Sequence, residues 1–378
     1  MKNKPYLPFS LLVLSLLFLS CTSRTDIDQC EIFKISSDSI HKFNEVLKSV
    51  EIVPLDNINE AQIGKIDRVK TYNDFFLIGN KSDIIYIFKR DGTFVANSRK
   101  VFGKGNGEYY LCLAYSYNEY SHEIEIVVPD GMMFYDCNFK FLRKIKFEDK
   151  QTSSLLFNHL YDLAADKHML MSPNDKEEPR YYIFDSKEGK FVKNTAYPVD
   201  CMEITMQQQC ISNNDFMAFP CMNYSFYTID KNDYSFKQAL TLDFGNKLSI
   251  DDYNDIDGIA NRRKFLLECS KSLPLRTFRS DNYMASVVKE GQLREDLHLL
   301  ILNLDSRRST IVVSDQDGIS LPIMDYFEDK TFYSFVTSDE ISEYVKENLL
   351  DEKSKQIYTS ISDSSNYCLL KYHFKDVL

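Results

Sequence analysis

The chain has 378 residues, carries a formal net charge of −11, and is 44% hydrophobic and 13% aromatic. Such a composition can bury a core, which excludes a disordered stalk. An acidic chain without a basic cluster is a poor partner for nucleic acid. The lack of Trp counts against many sugar-stacking sites, although 24 Tyr offer a substitute.

The first expected element is a leader. Lys2 and Lys4 give a basic start, residues 6–20 (YLPFSLLVLSLLFLS) carry no charge, and the small Ser20 precedes Cys21. This is the pattern of a secretory signal, and its apolar run falls short of the ~20 residues a membrane-spanning helix needs. Phe18-Leu19-Ser20-Cys21 resembles the lipobox of bacterial lipoproteins, with Phe18 where Leu is usual. The resemblance implies cleavage after residue 20 and a lipid on Cys21. Residues 21–30 then form a lipidated tether and residues 31–378 the folded domain. Two or more acyl chains anchor stably where one is marginal. The expected location is the outer membrane. Asp26 and Asp28 favour the cell surface over the periplasmic face.

Further along, a strand–strand–turn–strand unit recurs. It reads DFFLIGNK, DIIYIFKRDG, TFVANSRKVFG near residue 80, and returns from residues 123, 167, 215 and 282, with a looser sixth copy at 331–338 and 366–376. Asp91-Gly92 marks a tight hairpin. Equivalent positions are Tyr86, Met133, Tyr182, Tyr227, Leu300 and Leu370, spaced by about 47 residues once two helical-looking insertions, 246–273 and 339–350, are set aside. Thr337 and Glu340 fit a capping box for the second insertion. A period of about 40–50 residues with several short strands predicts propeller blades. The fold expected is all-β, a six-bladed β-propeller with short helical insertions; an irregular pair of β-sandwiches is the alternative. The last unit lacks an outer strand, and residues 31–53 (EIFKIS, then SVEIVPL) are predicted to supply it. Ile32, Phe33 and Ile35 are expected to be buried there.

Residues 50–147 carry a resemblance. Val53-Pro54-Leu55 after a strand, Ile63-Gly64-Lys65-Ile66, the strand ending in Asp91-Gly92, and GKGNGEY at 103–109 resemble the six-bladed, NHL-like propeller lipoproteins of Bacteroidetes. Asn106 stands where that family usually has Pro. The resemblance implies the fold and export, and no reaction.

Candidate chemistry is sparse. Gly103, Gly105, Gly107 and Glu108 could pass for a phosphate loop, but the flanks are strand and loop, and no Lys-Ser/Thr follows. A structural blade-to-blade turn is expected, with glycines permitting positive φ. Asp251, Asp252, Asn254, Asp255 and Asp257 invite calcium, yet counting back from Gly258 puts Tyr253 and Lys264 at EF-hand positions 1 and 12, and the pattern fails. The histidines are His41, His122, His159, His168, His298 and His373, with no HExxH among them. His159 falls on a predicted inner strand of blade three and is the candidate to face the channel. No GxSxG nucleophile elbow occurs. Beyond Cys21, eight cysteines include no CxxC, so neither a zinc nor a thioredoxin-type site is read from spacing. Cys112, Cys137, Cys221 and Cys368 lie in apolar runs and are expected to act as small core hydrophobes. No cofactor or metal is expected. The reading is a lipid-anchored binding or scaffold module for a protein or glycan. The alternative is a hydrolase or lyase acting on a glycan or lactone through the channel.

Overall fold

The computed structural model describes residues 30–35, 40–147, 157–172, 180–196, 216–218, 224–245, 255–257, 261, 264–265, 272–289, 297–314, 319–361 and 366–376. Three N-terminal strands come first: β1 (Glu31–Lys34), β2 (Ile40–Lys42) and β3 (Leu47–Pro54). Blade 1 is β4 (Ile66–Thr71), β5 (Phe75–Asn80), β6 (Ile85–Lys89) and β7 (Phe94–Asn97). Blade 2 is β8 (Ala114–Asn118), β9 (Glu123–Val128), β10 (Gly131–Tyr135) and β11 (Phe141–Lys146). Blade 3 is β12 (His159–Ala164), β13 (Lys167–Ser172), β14 (Arg180–Asp185) and β15 (Lys190–Ala196). Blade 4 contains β16 (Phe216–Ala218), β17 (Ser225–Ile229) and β18 (Phe236–Asp243). Blade 5 is β19 (Leu273–Arg279), β20 (Tyr283–Lys289), β21 (Leu297–Asn303) and β22 (Arg308–Val313). Blade 6 contains β23 (Tyr326–Glu328), β24 (Thr331–Val336) and β25 (Cys368–Phe374). The molecule is a six-bladed β-propeller, the strands of each blade antiparallel and in chain order except where the three N-terminal strands join blades 4, 5 and 6.

Residue type explains which strand goes where. Middle strands such as β6 and β10 are apolar on both faces, and nearly every residue of these and of β13 is buried, because a blade packs against neighbours on either side. The outer β11, FLRKIK, is mostly exposed. The hairpin into the fourth strand repeats from blade to blade. Asp91, Asp136, Asp185, Asp230 and Asn303 each accept a backbone N–H two or three residues on, at 2.8–3.0 Å. The same turns each hold one left-handed residue: Gly92, Phe139, Gly189, Tyr234 and Arg307.

The N-terminus closes the ring, by a longer route than expected. β3 pairs antiparallel with β25, from Leu47–Phe374 to Pro54–Cys368, as the outer strand of blade 6. EIFKIS does not join that blade. β1 runs parallel to β18 on blade 4, and β2 runs parallel to β22 on blade 5. The segment therefore stitches three successive blades. Phe33 is buried, whereas Ile32 is 57% exposed and Ile35 only half-buried, which corrects the expected phase. A short helix, α1 (Phe43–Val46), drops Phe43 into the core against Phe332, Tyr372 and Phe374. At the seam Glu51 meets Lys371 at 3.2 Å and His373 at 3.9 Å. His373, with Lys371, holds the Glu51 carboxyl down to about 2, against the opposing effect of burial. A depressed carboxyl stabilises the fold above its unfolded pKa near 4.5 and loses that contribution as pH falls through about 2. Glu51→Gln is expected to flatten this acid limb in urea unfolding at pH 7 against pH 3. The seam is half-exposed, so solvent screening limits the difference to about 1 kcal/mol or less.

The expected helix over 339–350 is shorter. α2 spans Ile341–Tyr344, with Glu340 at its N-cap. Thr337 and Glu340 do bond, side chain to side chain at 2.8 Å, but not as a capping box. A longer helix, α3 (Glu352–Ser360), follows, capped by Asp351 accepting from Ser354 N at 2.7 Å. Ser354 Oγ accepts from Ile52 N at 3.1 Å, so this insertion covers the open edge of β3. The insertion over 246–273 lies mostly outside the described residues. Among the described residues no helix is long and apolar enough to cross a membrane.

Antiparallel strands send their connections alternately to two faces. First-to-second and third-to-fourth hairpins are short, none longer than Asp230–Ser235. The opposite face receives the connections 55–65 and 98–113 and the described ends of those over 147–158, 244–272, 314–325 and 337–367.

Candidate functional site

The first strands of the blades form the inner wall, with β8 touching β12 and β19 touching β23. Arg68 and Lys70 on β4, and Tyr72 just after it, alternate onto one side. Arg68 donates to Leu113 O at 3.3 Å and to Asn158 O at 2.9 Å. Lys70 Nζ donates to Leu160 O at 2.8 Å, and Tyr72 Oη accepts from Tyr117 N at 2.8 Å. Two cations of blade 1 thus reach past blade 2 to carbonyls on the inner edge of blade 3. His159, the sequence candidate, opens β12 beside them and stacks on Tyr161 at 6.3 Å. Burial, with Arg68 and Lys70 nearby, pushes His159 down to about 3, so its ring is neutral. Burial also brings Lys70 down to about 8. This wall carries positive charge towards the long-loop face, where β4 and β12 begin.

A second cluster was invisible in the sequence. Glu125 on β9 faces Asp162 on β12 and His168 on β13, between blades 2 and 3. His168 Nδ1 lies 2.9 Å from Glu125 Oε2 and 3.1 Å from Asp162 Oδ1. Nε2 meets Ser186 Oγ at 2.9 Å, and Asn118 Nδ2 donates to Glu125 Oε1 at 2.9 Å. Burial works against charge on His168, but Asp162 and Glu125 outweigh it and raise the ring to about 9. Burial, with Asp162 beside it, raises Glu125 to about 8. Burial would also raise Asp162, yet His168 keeps it low. The motif EIEIVV reads as ordinary alternation with Glu outward, and blade stacking removes that outward side.

The glycine turn lies between β7 and β8. Gly103 N donates to Tyr109 O at 2.8 Å and Tyr109 N to Val101 O at 2.9 Å, closing the loop. The Glu108 carboxylate folds back to accept from Gly105 N at 2.7 Å. A Cβ on Gly103 would lie 2.2 Å from that carboxylate, which would have to swing aside and give up its bond to Gly105. Only Gly107 of the three has positive φ, +78°, and a Cβ there would meet Phe141 at 2.8 Å. Gly107→Val is expected to cost about 2 kcal/mol through backbone strain and crowding. Gly105→Val, against the flexible end of Glu108, is expected to cost less. Differential scanning calorimetry of both variants checks the order.

Other sequence candidates fall elsewhere. Cys21, Cys221 and the residues 251–254 lie outside the described residues. Asp255 and Asp257 are exposed. Cys112 and Cys368 are buried and free; Cys112 precedes β8 rather than lying in a strand, and Cys137 is a half-buried turn residue. Large exposed apolar side chains in described connections gather on one face. Ile58, Phe102, Tyr110 and Ile323 project from the long-loop face, and Tyr120 alone from the short-hairpin face.

Comparison with known proteins agrees with this architecture. A family model described as "Domain of unknown function (DUF4934)" matches residues 26–373. A crystal structure of a Bacteroides fragilis protein, described as a "putative exported protein", superposes with a TM-score of 0.70. The two share 16% identity, over 91% of this chain and 99% of that one. BamB from Moraxella catarrhalis gives a TM-score of 0.38 at 9% identity, over 75% of this chain and 69% of BamB, too distant to carry an argument. No curated protein matches the chain.

Proposed function

We propose, from the premise that the chain belongs to the DUF4934 family, that it is a lipid-anchored binding module of the cell envelope whose long-loop face takes a protein or glycan partner. The observation that carries this reading is the asymmetry of the two faces. Long connections and four large exposed apolar side chains, Ile58, Phe102, Tyr110 and Ile323, share one end of a rigid ring. Recognition concentrates on loops held by a rigid scaffold, and clustered exposed apolar groups mark contact surfaces. The leader ending at Cys21 supports anchorage, and the likeness of residues 50–147 to NHL-like propeller lipoproteins supports an outer-membrane position, with the cell surface favoured. The description of the Bacteroides fragilis protein as exported points the same way. Acidic charge argues against a nucleic-acid partner.

A photo-crosslinking amino acid at Tyr110 or Ile323 is expected to give adducts on intact cells, and one at Tyr120 on the opposite face none. Adducts from Tyr120 alone, or from no position, would reject the assignment of the face. Cys21→Ala is expected to release the protein from membranes or block its processing. Unchanged, detergent-requiring attachment on fractionation would reject the anchor. The alternative, a hydrolase or lyase on a glycan or lactone, rests on His159 beside Arg68 and Lys70 at the same end of the ring. It predicts that His159→Ala abolishes turnover of such a substrate without moving the crosslinks.

A further inference from the structure

We propose that the junction between blades 2 and 3 is a structural zinc site, with Glu125, Asp162 and His168 as its ligands. Strand register builds it. Ser116 stands opposite Glu125 across β8 and β9, and Asp162 opposite His168 across β12 and β13, so each pair shares one sheet face. The two faces meet, and one donor atom from each of Glu125, Asp162 and His168 lies within 4.8 Å of the others. The contacts from His168 Nδ1, 2.9 Å to Glu125 and 3.1 Å to Asp162, are close to ligand spacing. Ligands at about 2.0–2.1 Å from a tetrahedral zinc stand about 3.3 Å apart. A shift of a few tenths of an ångström opens the site.

The other side of the imidazole is arranged for the same purpose. Ser186 Oγ reaches Asp166 O at 3.4 Å, and this spends the hydroxyl proton. Ser186 must then accept from His168 Nε2–H, which turns Nδ1 to the carboxylates. Metal-bound histidines are commonly fixed in this way through their second nitrogen.

Hydrogen-bond accounting adds an independent observation. The Nδ1–H bond is aligned on Asp162, so Glu125 Oε2, in a residue 0% exposed, has only the ion-pair approach of Nδ1 at 2.9 Å and no aligned hydrogen bond. Ser116 Oγ, 2% exposed on the same sheet face, is also without one. Buried acceptors left without partners are costly. One cation at the centre serves both carboxylates and the ring, with Ser116 Oγ or a water available as the fourth ligand. Two carboxylates neutralise its charge, and the carboxylate–imidazole set suits zinc. The site has no exposure through Glu125 or His168, so the ion enters while blades 2 and 3 assemble.

The test uses the whole mature domain, refolded from guanidinium with zinc chloride or with EDTA and then dialysed. Expected are about one zinc per chain by mass spectrometry and a melting temperature higher than that of the EDTA-refolded sample. Glu125→Gln is expected to lose the metal, and Ser186→Ala to weaken zinc about 10–100-fold. If Glu125→Gln fails to fold, Ser116→Cys decides, because an added thiolate ligand should tighten zinc binding. Wild-type protein that refolds metal-free and melts identically with zinc and with EDTA would overturn the site. So would zinc retained undiminished by Glu125→Gln, since the ion would then sit elsewhere.

Discussion

Deletion of residues 22–50, with the anchor kept, is expected to unfold the domain cooperatively. The deletion removes β1, β2, α1 and half of β3. It strips Phe33, Phe43, Val46, Leu47 and Val50 from the core, all 2% exposed or less. At about 1.5–3 kcal/mol per buried side chain, the five amount to roughly 7–15 kcal/mol, comparable with the whole stability of a typical domain at about 5–15 kcal/mol. The deletion also leaves β18, β22 and β25 with open edges, which invite aggregation. The measurement is thermal unfolding by circular dichroism of soluble protein with and without residues 22–50. An unchanged melt would remove the strap from the account of stability. Deletion of residues 22–35 alone, which sacrifices only β1, is expected to cost far less.

Gly92→Ala is expected to cost about 2–6 kcal/mol. Gly92 sits at φ +88°, and a Cβ there would lie 2.1 Å from the Pro54 carbonyl oxygen. That oxygen belongs to the backbone at the end of β3 and cannot rotate away. Asp56 fixes the same junction, donating its N–H to Gly92 O at 3.0 Å and accepting from Phe94 N at 2.8 Å. Strain contributes about 1–3 kcal/mol and overpacking about as much again. Gly64→Ala separates the two, since Gly64 has φ +74° and nothing within 4 Å of its would-be Cβ. Chemical denaturation should therefore find Gly92→Ala at least twice as costly as Gly64→Ala. Equal losses would show that the Pro54 contact contributes nothing.

The ring was legible in the sequence because each blade repeats a local device. Apolar runs such as DIIYIFKRD and RYYIFD end in an Asp whose side chain organises the next turn, and the eye can count those turns. The closing strand was legible for a different reason, since SVEIVPL alternates and stops at Pro54. The destinations of EIFKIS and IHK were not. Each is a short, parallel, outermost strand, and nothing in three or four residues specifies which of six similar edges it will join. α3 was missed because EKSKQIYTS has a weak apolar face; it forms where its Ser354 can serve the Ile52 amide. His159 could be placed on its strand by periodicity alone. Glu125 could not be recognised as buried, because alternation reports on one sheet and says nothing about the second sheet laid over it.

The strap also sets an order of events during synthesis. Cys30 and Thr241, which touch across β1 and β18, are 211 residues apart, and Glu51 and Lys371 are 320 apart. Blades 1 to 3 pair neighbours in sequence and can form before the rest of the chain has emerged. The strands that emerge first must wait for those that emerge last. At about 5–20 residues per second, a delay of 320 residues lasts roughly 15–60 s. Through that interval the ring stays open, and a prematurely terminated chain never shuts it. Closure thus tests completeness: only a full-length polypeptide supplies β25, and an unfinished product keeps an exposed seam for proteases to find.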